Sequence, residues 1–294
     1  AYVWPIQDPY HPLNEDWDGC SKITGTTKKV TTIVTYDIWS PAEPSLLAII
    51  GPDIAFSKDE GSRIQAFLNS GGTVLLADDF GTGNSLLEEL KVTARFSKTP
   101  VADLLFYSKQ PAFPLIVEFS PSPVTANVTM ILTNHPSYID IGNSSSVVKL
   151  ASTSSFSFVD WDGDNRPELN ETITSYPVMA SVQMGNGLLV LVSDASMFVN
   201  EMIELYDNMR LFKNMLDMGR DSLLLDVAHL ERAPLTDERI GFRNTIDSIR
   251  SYVLSSQIGL YIQFLLVIAL IAGFSFAISR RMSRRRPNQT LYSS

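Results

Sequence analysis

The stretch GGTVLLADDFGTGN, residues 71–84, constrains this chain most. Four apolar residues, Val74 to Ala77, stop at two adjacent carboxylates, Asp78 and Asp79, and a glycine-rich turn follows. A strand that is apolar at consecutive positions has both faces buried, as in a parallel sheet covered by helices. Such sheets hold ligands beyond the carboxyl ends of their strands. The two aspartates therefore stand where an α/β fold does its chemistry. Carboxylates that merely cap helices and turns stand there too.

Neighbouring segments continue the pattern. VTTIVTYDI (30–38) is dense in β-branched residues, and SLLAIIGP (45–52) is an apolar run closed by Gly-Pro; both read as strands. In SKDEGSRIQAFLNSGG (57–72), Ser57 and Glu60 form a capping box, and Ile64, Phe67 and Leu68 share one helical face that ends at Gly71. NSLLEEL (84–90) reads as a short helix. GNGLLVLVSDASMFVN (185–200) is another buried strand, ending at Asp194. The helix YDNMRLFKNMLDMG (206–219) carries a stripe of Met209, Phe212 and Leu216, and SLLLDVAHLE (222–231) reads as the last strand. This order predicts an α/β domain, a mostly parallel sheet flanked by helices, built from residues 30–91 and 185–231. Residues 1–29 read as an irregular N-terminal segment. Residues 92–184, rich in Ser, Thr, Pro and Val with short alternating runs, read as a β-rich insertion of hairpins. Residues 232–257 form a polar, helix-compatible stalk.

After the stalk, Ile258 to Ile278 are 21 residues without a charge. At about 1.5 Å per residue they span roughly 30 Å, the hydrocarbon thickness of a bilayer. The alternative is a buried helix of a soluble protein. Arg280, Arg281, Arg284, Arg285 and Arg286 follow at once and favour a membrane span, 258–279, with a basic cytoplasmic tail, 280–294. The chain is thus expected in the cell membrane as a single-pass protein, its N-terminal domain outside the cytoplasm. Because it opens at Ala1, a cleaved signal peptide is expected. Asn127, Asn143 and Asn170 are sequons on the exterior side and are expected to carry glycans; Asn288 would face the cytoplasm. Every acidic residue lies before position 258, where 32 acids face 18 bases. Such a body argues against nucleic acid as a partner, because phosphate counterions must be replaced by a basic surface. The expected partners are membrane proteins of a larger complex and the bilayer itself.

Two stretches carry a family resemblance. LLAIIGPDIAFSKDEGSRIQAFLNSGGTVLLADDFG and GNGLLVLVSDASMFVNEMIELYDNMRLFKNML resemble a prokaryotic membrane-associated family catalogued as domain of unknown function 4350. The second stretch has a Gly-x-Gly strand ending in Asp194, then Asn200, then the pair Asp207 and Asn208 opening a helix. The resemblance implies a fold like that of class I glutamine amidotransferases, without an established activity. That chemistry needs a cysteine on a strand-to-helix turn with a histidine in reach. The lone Cys20 lies in the N-terminal segment, so no catalytic residue is assigned.

Polar residues at strand ends remain candidates for ligand binding: Asp78, Asp79, Asp194, Asn200 and His229, with Asp37 at the end of the first strand. Carboxylates with a histidine can hold a metal and activate water, so a metal-dependent hydrolase acting on envelope glycans or peptides is the alternative to a non-catalytic binding or scaffold domain. DWDGDNRPELNE (160–171) has calcium-loop spacing. Asp160, Asp162 and Asp164 fall at positions one, three and five, the Arg166 carbonyl at seven, Glu168 at nine and Glu171 at twelve. Ca²⁺ is the one cofactor expected, against an acidic hairpin turn without metal. Asn165 replaces the usual Gly at position six.

Overall fold

The computed structural model describes residues 5–37, 39, 44–142, 144–168, 171–233, 236–255 and 261. Eight strands make the central sheet: β1 (Lys29–Ile33), β2 (Leu46–Ile50), β3 (Thr73–Ala77), β4 (Glu118–Phe119), β5 (Val147–Ser152), β6 (Pro177–Met184), β7 (Gly187–Val192) and β8 (Ser222–Asp226). Their order is β1-β8-β2-β3-β7-β6-β5-β4. The first five in that order run parallel to one another, and the last three extend the sheet antiparallel. The helices are α1 (Ser21–Thr24), α2 (Lys58–Asn69), α3 (Gly83–Glu89), α4 (Asn208–Met218) and α5 (Thr236–Ser255).

Every residue of β2 and β3 is buried, as continuous apolar runs require of a sheet covered on both sides. Alternate side chains feed two cores. Ala48, Leu75, Val190 and Leu225 pack with Leu211, Phe212 and Met215 of α4. Leu47, Ile49, Leu76 and Leu191 pack with Ile64, Phe67 and Leu68 of α2 and with Leu86 and Leu87 of α3. Each of the larger of these side chains contributes about 1.5–3 kcal/mol. The capping box of α2 forms as read. The Glu60 amide donates to Ser57 Oγ at 3.4 Å, and the Ser57 amide donates to Glu60 Oε2 at 2.7 Å.

The first strand is shorter than its sequence suggests. β1 pairs with β8 only as far as Ile33 opposite Asp226, after which the chain bends to bury Tyr36. The β-rich stretch supplies β4, β5 and β6 to the central sheet. It also forms small antiparallel pairs such as Val101–Asp103 with Ser157–Val159. Asp103 fastens that pair, its Oδ2 accepting from the hydroxyls of Ser154 and Ser157 at 2.6 and 2.7 Å.

Residues 5–234 form one compact unit, and α5 belongs to another. Apart from Tyr261, the run read as membrane-spanning and the basic tail lie outside the described residues. Among those that are described, no helix is long and apolar enough to cross a membrane.

Candidate functional site

The carboxyl ends of β3 and β7 hold three aspartates with distinct roles. Asp78 is fully buried and caps the turn behind β3. Its Oδ1 accepts from the Gly81 amide and its Oδ2 from the Gly83 amide, both at 2.7 Å. The turn closes so tightly that a Cβ at either glycine would sit 2.7 Å from the Asp78 carboxylate. Burial raises the Asp78 pKa, and the two amides oppose that rise.

Asp79 lies on the other side of the pleat. Ala77 pairs with Val192, and the Asp78 amide donates to the Val192 carbonyl at 3.0 Å, which carries the ladder one step further. Continuing that register sets Asp79 beside Asp194. Burial pushes the Asp79 pKa up to about 6, and the charges of Asp78 and Asp53 add to the rise. Asp194 is 1% exposed, and burial followed by the Asp79 charge holds its pKa well above the usual carboxylate range. Its Oδ2 accepts from the Asn134 amide at 2.6 Å, and the nearby amides of Ser196 and Met197 also favour its charged form, although its Oδ1 makes no well-formed hydrogen bond. Two such neighbours cannot both ionise cheaply near neutral pH.

Tyr10 of the N-terminal segment lies close enough to feel this pair, its Oη 3.5 Å from Ser196 Oγ. Burial raises its pKa, as do the charges of Asp79 and Asp194. The ring lies over Gly51 at the end of β2. A Cβ on Gly51 would come within 2.5 Å of that ring, and its φ of +59° favours glycine independently. Nothing in the sequence singles out Tyr10, because its segment has no periodicity to read.

His229 is occupied elsewhere. Its Nδ1 meets Asp226 Oδ2 at 2.7 Å, and its Nε2 stands 3.6 Å from Glu60 Oε1. The ring stacks on Phe56 with centroids 3.6 Å apart. Burial opposes protonation, yet the two carboxylates outweigh it and raise the His229 pKa. The imidazole thus ties the end of β8 to the cap of α2. Asp37 is exposed beyond β1.

The polar positions of the family signature are fasteners. Asn200 Oδ1 accepts from the Lys22 amide at 2.9 Å, and its Nδ2 donates to the carbonyls of Asn14 and Asp16 at 3.0 and 2.7 Å. Asp207 Oδ2 accepts from the amide and the hydroxyl of Thr129, both at 2.8 Å. Asn208 exchanges two hydrogen bonds with the Leu132 backbone at 3.0 Å. Cys20 is fully buried with a strongly raised pKa, which leaves its thiol unreactive.

In the acidic loop, Asp160, Asp162 and Asp164 bring one oxygen each within 4.8 Å of one another and can hold a metal ion. Asp160 takes the amides of Gly163 and Asn165 at 3.1 Å, and Asn165 adopts the left-handed φ of +62° that position six demands. Glu171 is turned to the backbone, accepting from the amides of Trp161 and Glu168 at 3.0 and 2.9 Å. It closes the loop from outside the three-aspartate group, and Glu168 is also outside that group. The Arg166 amide donates to Asp164 Oδ1 at 2.7 Å. Among the three sequons, Asn127 is exposed in a turn; Asn143 and Asn170 lie outside the described residues.

Solved structures are similar to this chain at low identity. The mmIFT52 N-terminal domain is 13% identical with a TM-score of 0.46, covering 63% of this chain and 94% of that one. A ThuA-like protein from Bacteroides uniformis is 11% identical with a TM-score of 0.35, covering 60% and 69%. A β-galactosidase from Bacillus circulans sp. alkalophilus is 13% identical with a TM-score of 0.32, covering 60% of this chain and 22% of its own length. No curated protein sequence matches significantly. The profile of one family, however, matches residues 12–216, from just before Asn14 into the last turn of α4. The chain belongs to the family described as domain of unknown function 4350.

Proposed function

We propose that the chain is a membrane-anchored, extracytoplasmic binding and scaffold domain without catalytic activity, an accessory subunit of a membrane protein complex. One observation carries this reading: most polar side chains at the strand ends and signature positions are spent inside the domain. Asp78 is held by two amides, Asn200 by the N-terminal segment, and Asp207 and Asn208 by the β-rich stretch. On this reading the sheet is a glutamine-amidotransferase-like scaffold whose strand ends serve to hold loops. Placement at a membrane rests on the uncharged run 258–278 and the five arginines behind it. Outside the cytoplasm, the three loop aspartates with the Arg166 carbonyl would take Ca²⁺ as a structural clip, and the exterior sequons would carry glycans. Purifying the full chain from mild detergent tests the reading. A defined set of membrane proteins at fixed stoichiometry is expected, and a chain that purifies alone at every detergent concentration would refute it.

The competing reading is a metal-dependent hydrolase acting on envelope glycans or peptides. It has one observation in its favour: the neighbouring carboxyls of Asp79 and Asp194, with one buried oxygen that makes no well-formed hydrogen bond. Stoichiometric zinc or manganese, lost on Asp194→Asn, would establish it over the scaffold.

A further inference from the structure

A pocket of about 430 Å³ opens at the seam between the β-rich stretch and the loop after Asn200. That volume lies within the roughly 300–1,000 Å³ of small-ligand sites. Phe113, Leu132 and Met202 line it with apolar surface, and Leu132 and Met202 belong to a small core of their own at this seam. Asn134 forms part of the lining, and its amide is the one held by Asp194 at 2.6 Å. The pocket is therefore registered to the carboxyl edge of the sheet, where α/β folds place their ligands.

Two opposite charges stand on its two walls. Lys109 comes from the β-rich stretch and Glu201 from the loop, and both are exposed. Neither side chain has an ion-pair partner among the described residues. Both walls are set in advance. Lys109 holds a left-handed φ of +66° in a turn closed by the Ser108 amide on the Phe113 carbonyl at 2.9 Å. On the other wall, Tyr206 holds φ +49° beside Asp207, which Thr129 fastens. Side-chain-bearing residues rarely adopt this conformation.

We propose that this pocket binds a zwitterionic amino acid or short peptide with a large apolar side chain. The side chain lies on Phe113, Leu132 and Met202. The carboxylate of the ligand meets the Lys109 ammonium, and its ammonium meets the Glu201 carboxylate. A wholly apolar ligand would leave both charges without a counterpart, and a phosphate ester would face Glu201 on an acidic domain.

The test is calorimetric titration of the full chain in detergent with L-phenylalanine, the dipeptide Phe-Leu and N-acetylphenylalaninamide. At least one zwitterion is expected to bind saturably at one site per chain, with the uncharged amide at least about tenfold weaker. Tighter binding of phenylalanine would assign the site to free amino acids, and tighter binding of Phe-Leu to peptides. Lys109→Gln and Glu201→Gln should each weaken binding about tenfold without moving the melting temperature. Lys109→Gly should raise the melting temperature, by relieving the left-handed backbone, while weakening binding to the same extent. Simple destabilisation cannot produce that pair of results. The proposal is overturned if neither zwitterion saturates, if the amide binds as well, or if the charge variants bind unchanged.

Discussion

Asp194 at the end of β7 and Asp164 in the acidic loop each accept one short backbone hydrogen bond, at 2.6 and 2.7 Å. Their surroundings make them different chemical groups. Asp194 is buried beside Asp79, its second oxygen makes no well-formed hydrogen bond, and it is held toward the protonated form. Asp164 is exposed and stands with Asp160 and Asp162 where a cation can reach all three. Asp78 is a third case, as buried as Asp194 but with a donor for each oxygen. Residue type alone therefore does not set the role of a carboxylate. Burial decides whether its charge is costly, and the number of donors decides whether that cost is met.

The sharpest break in this comparison should come from Asp78. Asp78→Ala leaves the Gly81 and Gly83 amides without acceptors and is expected to cost about 4 kcal/mol in denaturant unfolding. A loss under about 1 kcal/mol would show that the turn behind β3 holds itself.

Calcium probes the exposed group. At a hundredfold excess over its dissociation constant, Ca²⁺ should stabilise the full chain by about 2.7 kcal/mol relative to chelator. If the melting temperature is the same in both, the three aspartates are only a solvated turn.

The buried pair should answer to pH instead. The folded-state pKa of Asp79, about 6, lies above its unfolded value of roughly 3.9. Stability from this group is thus complete below pH 4 and lost as pH rises toward 6. Asp79→Asn should therefore stabilise the protein by about 2–3 kcal/mol at pH 8 and by little at pH 4. His229 adds a second decline, because its raised pKa gives stability that is present below about pH 6.5 and lost as pH climbs through the folded value. Unfolding curves of Asp79→Asn across that range separate the two, since only the lower step should vanish.

The smallest effect is expected at Asp162. In chelator, Asp162→Asn should shift stability by less than about 0.5 kcal/mol, yet it should abolish the calcium response.

Much of the fold was legible because its signals are local. The runs around Leu47 and Leu75 announce buried strands, and Ser57 with Glu60 marks the start of α2 within four residues. β4 was not legible, since two residues carry no period and its partner in β5 is some 30 positions away. The candidate site divides in the same way. Asp78 and Asp79 are adjacent, and only the pleat decides which one faces the turn. Asn200, Asp207 and Asn208 could be singled out as polar signature positions, but their partners lie 70 or more residues upstream. Whether such a residue binds a ligand or a loop is decided by that distant partner.

The pairing of β3 with β7 also governs the timing of folding. Ala77 must wait for Val192, and Lys29 for Ser222, before their ladders can close. At roughly 5–20 residues per second of synthesis, the centre of the sheet stays unpaired on the β7 side for about 6–23 s after β3 is made. During that interval the apolar faces of β2 and β3 have each other and α2, but no finished sheet. A ribosome pause placed between residues 80 and 190 should therefore increase aggregation of the nascent chain, whereas the same pause after residue 226 should not.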